Sequence, residues 1–156
     1  MHRAAGLALA LVVALGLAGC TAAGAGTSNF SLKPATIGWY AGDEARFTLA
    51  ISSSLLHSKP SFVIDRDFAI EEIQLDESGL KFGGDYSTKD PNAVGLRLAQ
   101  GGSANATNYT LDATHPSVDV YVTLPSSLRD SEYQLELKLF DVGWVKSDAF
   151  RVDHRT

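Results

Sequence analysis

From Phe30 onward the apolar residues of this chain recur at every second position, in short runs broken by turn-forming residues. Alternation of that kind marks strands with one buried face, and no run with helical spacing competes with it. Val118, Val120, Val122 and Leu124 share one parity, with Asp119, Tyr121 and Thr123 on the other. Tyr133, Leu135, Leu137 and Leu139 repeat the scheme, with Gln134, Glu136 and Lys138 turned outward, and Phe47, Leu49 and Ile51 follow it after the Gly42-Asp43 turn. Weaker strands are expected at Phe30–Leu32, Phe62–Ile64, Leu80–Phe82, Val94–Leu98, Tyr109–Leu111 and Phe150–Val152. One segment breaks phase: Phe68 and Ile70 have one parity, Ile73 and Leu75 the other. A strand with one buried face then needs an extra residue near Glu71-Glu72, a β-bulge, and a short helical turn across Ala69–Ile73 is the competing reading. About seven to nine short strands without a helix predict two packed antiparallel sheets.

Two stretches give that prediction a family likeness. Trp39-Tyr40-Ala41-Gly42-Asp43, followed by Ala45-Arg46-Phe47-Thr48-Leu49, resembles the first turn and second strand of immunoglobulin-like domains. Leu128-Arg129-Asp130-Ser131-Glu132-Tyr133 resembles their tyrosine corner, in which a tyrosine hydroxyl bonds back to upstream backbone. The resemblance implies an all-β, immunoglobulin-like two-sheet sandwich over residues 30–156. It departs from antibody domains in having no cysteine pair, so apolar packing alone must hold the sheets together.

The first 29 residues follow a different pattern. Met1-His2-Arg3 is a short basic start, and Ala4 to Leu17 is an uncharged apolar run of 14 residues. A membrane span needs about 20, so the run has the length of a secretory leader, expected as a helix. It closes on Leu17-Ala18-Gly19-Cys20, which resembles the lipobox of lipoprotein precursors. That resemblance implies a signal peptide over residues 1–19, diacylglycerol on the Cys20 thiol, and cleavage just before it. The alternative is a cut at a nearby A-x-A-like site that leaves Cys20 as a free thiol. No Arg-Arg pair precedes the run, which points to general secretion. Thr21 follows the cysteine, which in a two-membrane bacterium favours the outer membrane over inner-membrane retention. Residues 20–29, rich in Ala, Gly, Thr and Ser, read as a flexible tether. The expected location is extracytoplasmic, lipid-anchored at a cell membrane or outer membrane.

Charge and side-chain inventory then narrow the chemistry. The chain carries a formal net charge of -5 and no basic patch interleaved with aromatics, so nucleic acid is a poor partner. Cys20 is the only cysteine, which removes disulfides, thiol catalysis and cysteine-bound zinc from the domain. His57, His115 and His154 are far apart and read as solvated loop residues, and a copper site of the Cys-His-Met kind lacks its ligands. Asp65-Arg66-Asp67 and Glu71-Glu72 cluster carboxylates without the spacing of a calcium loop. No serine lies in a nucleophile-elbow setting. No metal, cofactor or catalytic residue is therefore expected. Asn29, Asn105 and Asn108 lie in Asn-x-Ser/Thr sequons, which carry glycans where the organism glycosylates asparagine and otherwise mark turn-rich loops.

Aromatics remain as binding candidates. Trp39 and Trp144 flank expected strands and are read as plugs of the core, whereas Tyr121 and Phe140 fall on the polar parity and are candidate partner-binding residues. The function that follows is a lipid-anchored, non-enzymatic binding or structural module for an envelope protein or glycan. The alternative is an accessory or assembly factor for an envelope secretion, transport or protease-inhibitor system.

Overall fold

Burying one face of each alternating run draws the strands into two layers. The computed structural model describes residues 26–83, 94–100 and 108–156. One sheet has four strands in the order β1 (Phe30–Pro34), β3 (Glu44–Ile51), β9 (Ser117–Thr123) and β7 (Gly95–Ala99). The second runs β2 (Gly38–Tyr40), β12 (Phe150–Asp153), β10 (Ser131–Leu139), β5 (Ile70–Glu77) and β6 (Leu80–Gly83), with β11 (Gly143–Lys146) also paired to β10. A separate pair, β4 (Ser61–Ile64) with β8 (Tyr109–Asp112), completes the strands. The first order is the A-B-E-D order of immunoglobulin-like sandwiches, and β5, β10 and the β11–β12 stretch take the C, F and G places. The fold is an all-β, immunoglobulin-like sandwich.

Three details refine the expected picture. The strand β2 runs parallel to β12, so one pairing departs from the otherwise antiparallel sheets. Short pairings at the rims raise the number of strands above the expected nine. A six-residue helix, α1 (Ser53–Ser58), follows β3; its N-cap is Ser52, whose hydroxyl accepts the Leu55 N–H at 3.3 Å. The phase break does resolve as a bulge: Lys138 faces Glu72 and Leu139 faces Ile70, leaving Glu71 as the extra residue. Both Ile70 and Ile73 thereby reach the core.

Aromatic packing stands where a disulfide is absent. Phe47 from the first sheet meets Trp39 at 5.3 Å and Phe150 at 5.2 Å between ring centres, both from the second. Beside the start of β1, Phe68 packs on Phe30 at 5.1 Å and on Phe62 at 5.0 Å. Tilted, edge-on and stacked pairs of this kind contribute about 0.5–1.5 kcal/mol each beyond the area they bury. The tyrosine corner is present as well. Tyr133 is buried, and its hydroxyl donates to the Arg129 carbonyl at 3.0 Å.

Candidate functional site

The outer face of the four-stranded sheet follows from strand parity. With Phe47, Leu49, Val120 and Val122 turned inward, Arg46, Thr48, Asp119 and Tyr121 point out. Register sets Tyr121 opposite Arg46 on one side and Arg97 on the other. The Arg97 guanidinium lies 3.8 Å from the Tyr121 ring centre. It reaches across β9 to Glu44 on β3 in a two-point pair of 2.8 and 2.6 Å. That bond holds the Glu44 carboxyl below its ordinary range and raises Arg97. The fork and the stacked ring fix each other's orientation. Arg46 and Lys33, on the same face, are exposed and make no ion pair among the described residues. The strip thus sets two exposed cations, Arg46 and Lys33, beside the stacked Tyr121–Arg97 pair, with Asp119 on the same face.

The outer face of the second sheet is charged in a different way. Glu136, 3% exposed, takes bonds from Lys146 at 2.8 Å, Lys81 at 3.0 Å and Gln74. Asp76 takes bonds from Lys81 at 2.7 Å and the Gly79 N–H at 2.7 Å. The Lys81 bond does most to hold the Asp76 carboxyl down to about 2, against the effect of burial. Burial pushes Glu136 up, and the Lys146, Gln74 and Lys81 bonds outweigh it, so its pKa is lowered. Carboxylates held ionised by two ammonium groups are poor proton donors near neutral pH. This ladder is a cross-strand staple.

A third region surrounds the Thr27–Asn29 turn at the start of β1. The Thr27–Asn29 turn precedes β1, and the Asn29 side-chain oxygen accepts from the Ser52 hydroxyl at 3.1 Å and the Ser54 hydroxyl at 3.4 Å. Beside it lies a cleft of about 550 Å³, lined by Ile51, Leu56, His57, Pro60 and Pro116 among others. On the other side of the turn is the β10–β11 hairpin, with Phe140 54% and Trp144 36% exposed.

The residues singled out from sequence are dispersed. Tyr121 is partly covered by Arg97 on one sheet, and Phe140 stands at a hairpin tip of the other, so the two do not form one patch. Trp39 packs on the core as expected, but Trp144 does not: it pairs across from Lys138 on the outward parity of the hairpin. Asn108 is exposed, while Cys20 and Asn105 lie outside the described residues. His57 bonds the Ser53 carbonyl within α1, His115 lies 3.7 Å from Asp112, and His154 pairs with Asp130 at 2.7 Å. Asp67 is tied to Lys59 at 2.7 Å and to the Val63 N–H at 2.7 Å, so its oxygens are occupied. Among the described residues no His, Asp and Glu group could hold a metal ion. Sequence reading missed Arg97 and Glu44, because only cross-strand register brings them over Tyr121.

The sequence matches no family model, and the comparison with curated proteins gives no match either. Among solved structures, the chain is similar to SGBP-B of the Bacteroides ovatus mixed-linkage glucan utilization locus, solved with a mixed-linkage heptasaccharide. Identity is 14% and the TM-score 0.34, over 77% of this chain and 21% of that one. The chain therefore spans about a fifth of that protein's length. The class that fold and site define is an immunoglobulin-like β-sandwich with a polar, aromatic sheet face.

Proposed function

We propose that the chain is a lipid-anchored module of the cell envelope, held outside the cytoplasm through Cys20, that binds a partner and does not catalyse a reaction. The partner surface is the outer face of the four-stranded sheet. One observation carries this reading: the Tyr121–Arg97 stack is locked by Glu44, next to Arg46 and Lys33, which have no anionic partner of their own among the described residues. A preformed ring–guanidinium platform lowers the ordering cost of binding, and the unpaired cations select for anionic groups. The ligand class is an envelope glycan or protein that presents carboxylate, sulfate or phosphate. The well-bonded carboxylates of the opposite sheet support binding over acid–base chemistry, since they are held ionised.

Retention of the chain on intact envelopes, and on immobilised polygalacturonate and sulfated dextran as anionic probes, tests the reading. Tyr121→Ala and Arg46→Ala are each expected to weaken retention roughly tenfold, the loss of one charged or stacked contact. Phe140→Ala is expected to leave retention on the two polysaccharide probes unchanged. Wild-type retention by both face variants would overturn the assignment.

A further inference from the structure

Three features meet at the end of the sandwich where the chain enters the fold. The Thr27–Asn29 turn is bonded to the start of α1 through Asn29, Ser52 and Ser54. It also lies against the β10–β11 hairpin, where a Cβ on Gly143 would stand 3.9 Å from the Thr27 methyl. An apolar cleft therefore opens on one side of the turn, and two exposed aromatics, Phe140 and Trp144, stand on the other. The flanking charges are only partly paired: Lys59 pairs with Asp67 at 2.7 Å and Lys138 with Glu72 at 3.2 Å, while Glu71 and Asp141 stand exposed at the hairpin. The surface is thus apolar and aromatic with a mildly acidic rim at the hairpin.

We propose that this pole rests on the lipid bilayer, with Phe140 and Trp144 seated in the interface and the cleft beside α1 facing lipid. The inference rests on the lipid-anchor reading and adds to it a second contact. Its occupant follows from chain length. Only Thr21 to Ala25 separate Cys20 from Gly26, and six residue steps span at most about 20 Å. An anchor at Cys20 holds this end of the domain near the headgroups whatever conformation those residues take. Amphipathic or aromatic side chains kept at that distance meet the interface at high effective concentration. Two acyl chains on Cys20 would already anchor stably, so the interfacial contact sets the orientation of the domain on the bilayer. Because the rim carries more acidic than basic groups, the surface it suits is zwitterionic and not anionic lipid. The partner face with Tyr121 lies on the outside of the other sheet, where it stays open to ligand.

The test uses the full chain in phosphatidylcholine vesicles, with Trp39→Phe so that Trp144 is the only tryptophan. Brominated acyl chains quench a tryptophan only when it reaches the interface. The expected result is a several-fold loss of Trp144 emission in brominated vesicles, with Ile37→Ser, beyond the far end of β1, behaving as the parent. Equal emission in brominated and plain vesicles would overturn the proposal. Intact mass at Cys20 reports separately on the anchor. If the thiol proves free, it is coupled to a maleimide headgroup lipid, which restores the same tether, and the quenching is read again. Failure of the anchor and failure of the docking pole are thus told apart.

Discussion

Asp76 gives one side chain's contribution a pH signature. Its carboxyl has a native value of about 2 against an ordinary 3.8, held first by the Lys81 bond and opposed by burial. A depressed carboxylate adds stability that is complete above its unfolded value and disappears as pH falls through the folded one. Asp76→Asn is therefore expected to lower stability by about 1–2 kcal/mol at pH 5 to 7, discounted for the exposure of its lysine partners. The deficit should shrink as pH falls from about 4 toward 2 and disappear below it, as the wild-type carboxylate also becomes protonated. Urea unfolding of both proteins across that range measures it, and a deficit independent of pH would mean that Asp76 acts through shape and not charge. Glu136 shares both lysines with Asp76, so removing one carboxylate shifts the load to the other, and double variants should not add.

Between neighbouring elements, the β5–β6 hairpin separates two reasons for a glycine. Gly79 and Gly83 have φ of 94° and 108°. A Cβ on Gly79 meets open space, whereas on Gly83 it would lie 2.9 Å from the Ile73 carbonyl oxygen and 2.9 Å from a Val94 methyl. Gly79→Ala is expected to cost about 1 kcal/mol for conformation alone, and Gly83→Ala about 2–4 kcal/mol as overpacking is added. Thermal unfolding of the two variants tests the order, and equal losses would count against the close approach. Elements of this kind were legible in the sequence to unequal degrees. The long strands read directly because burial enforces a period of two, and even the bulge at Glu71 left its trace as a phase break. Helix α1 left none, since six residues are too few to display a 3.6 period, and only Ser52 ahead of Leu55-Leu56 marks its start. Trp144 was misread because its parity is set by the hairpin loop, where Asp141 and Gly143 take φ of 60° and 102°. The Arg97–Tyr121–Glu44 arrangement could not be read locally: residues 97, 121 and 44 meet only through the pairing of three strands.

For the whole molecule, the proposed anchor puts stability and address in separate parts of the chain. The sheets are joined by packing, not by a covalent bond, and Phe150 sits 2% exposed at the crossing with Phe47 and Trp39. Phe150→Ala is expected to cost about 3–5 kcal/mol, a large share of the 5–15 kcal/mol typical of one domain. Cys20 precedes the sandwich by ten positions and contributes no cross-link to it, because it is the only cysteine. Cys20→Ser should therefore leave the unfolding midpoint where it was while moving the chain from the membrane fraction to the soluble one. Phe150→Ala should do the reverse, lowering the midpoint while the protein that remains folded stays with the membrane. Melting curves and membrane fractionation on the same two variants decide it. If Cys20→Ser stays fully membrane-bound, the interfacial pole or some other contact carries the attachment alone. If it melts with Phe150→Ala, the residues before Gly26 contribute to the fold and the division between anchor and sandwich fails.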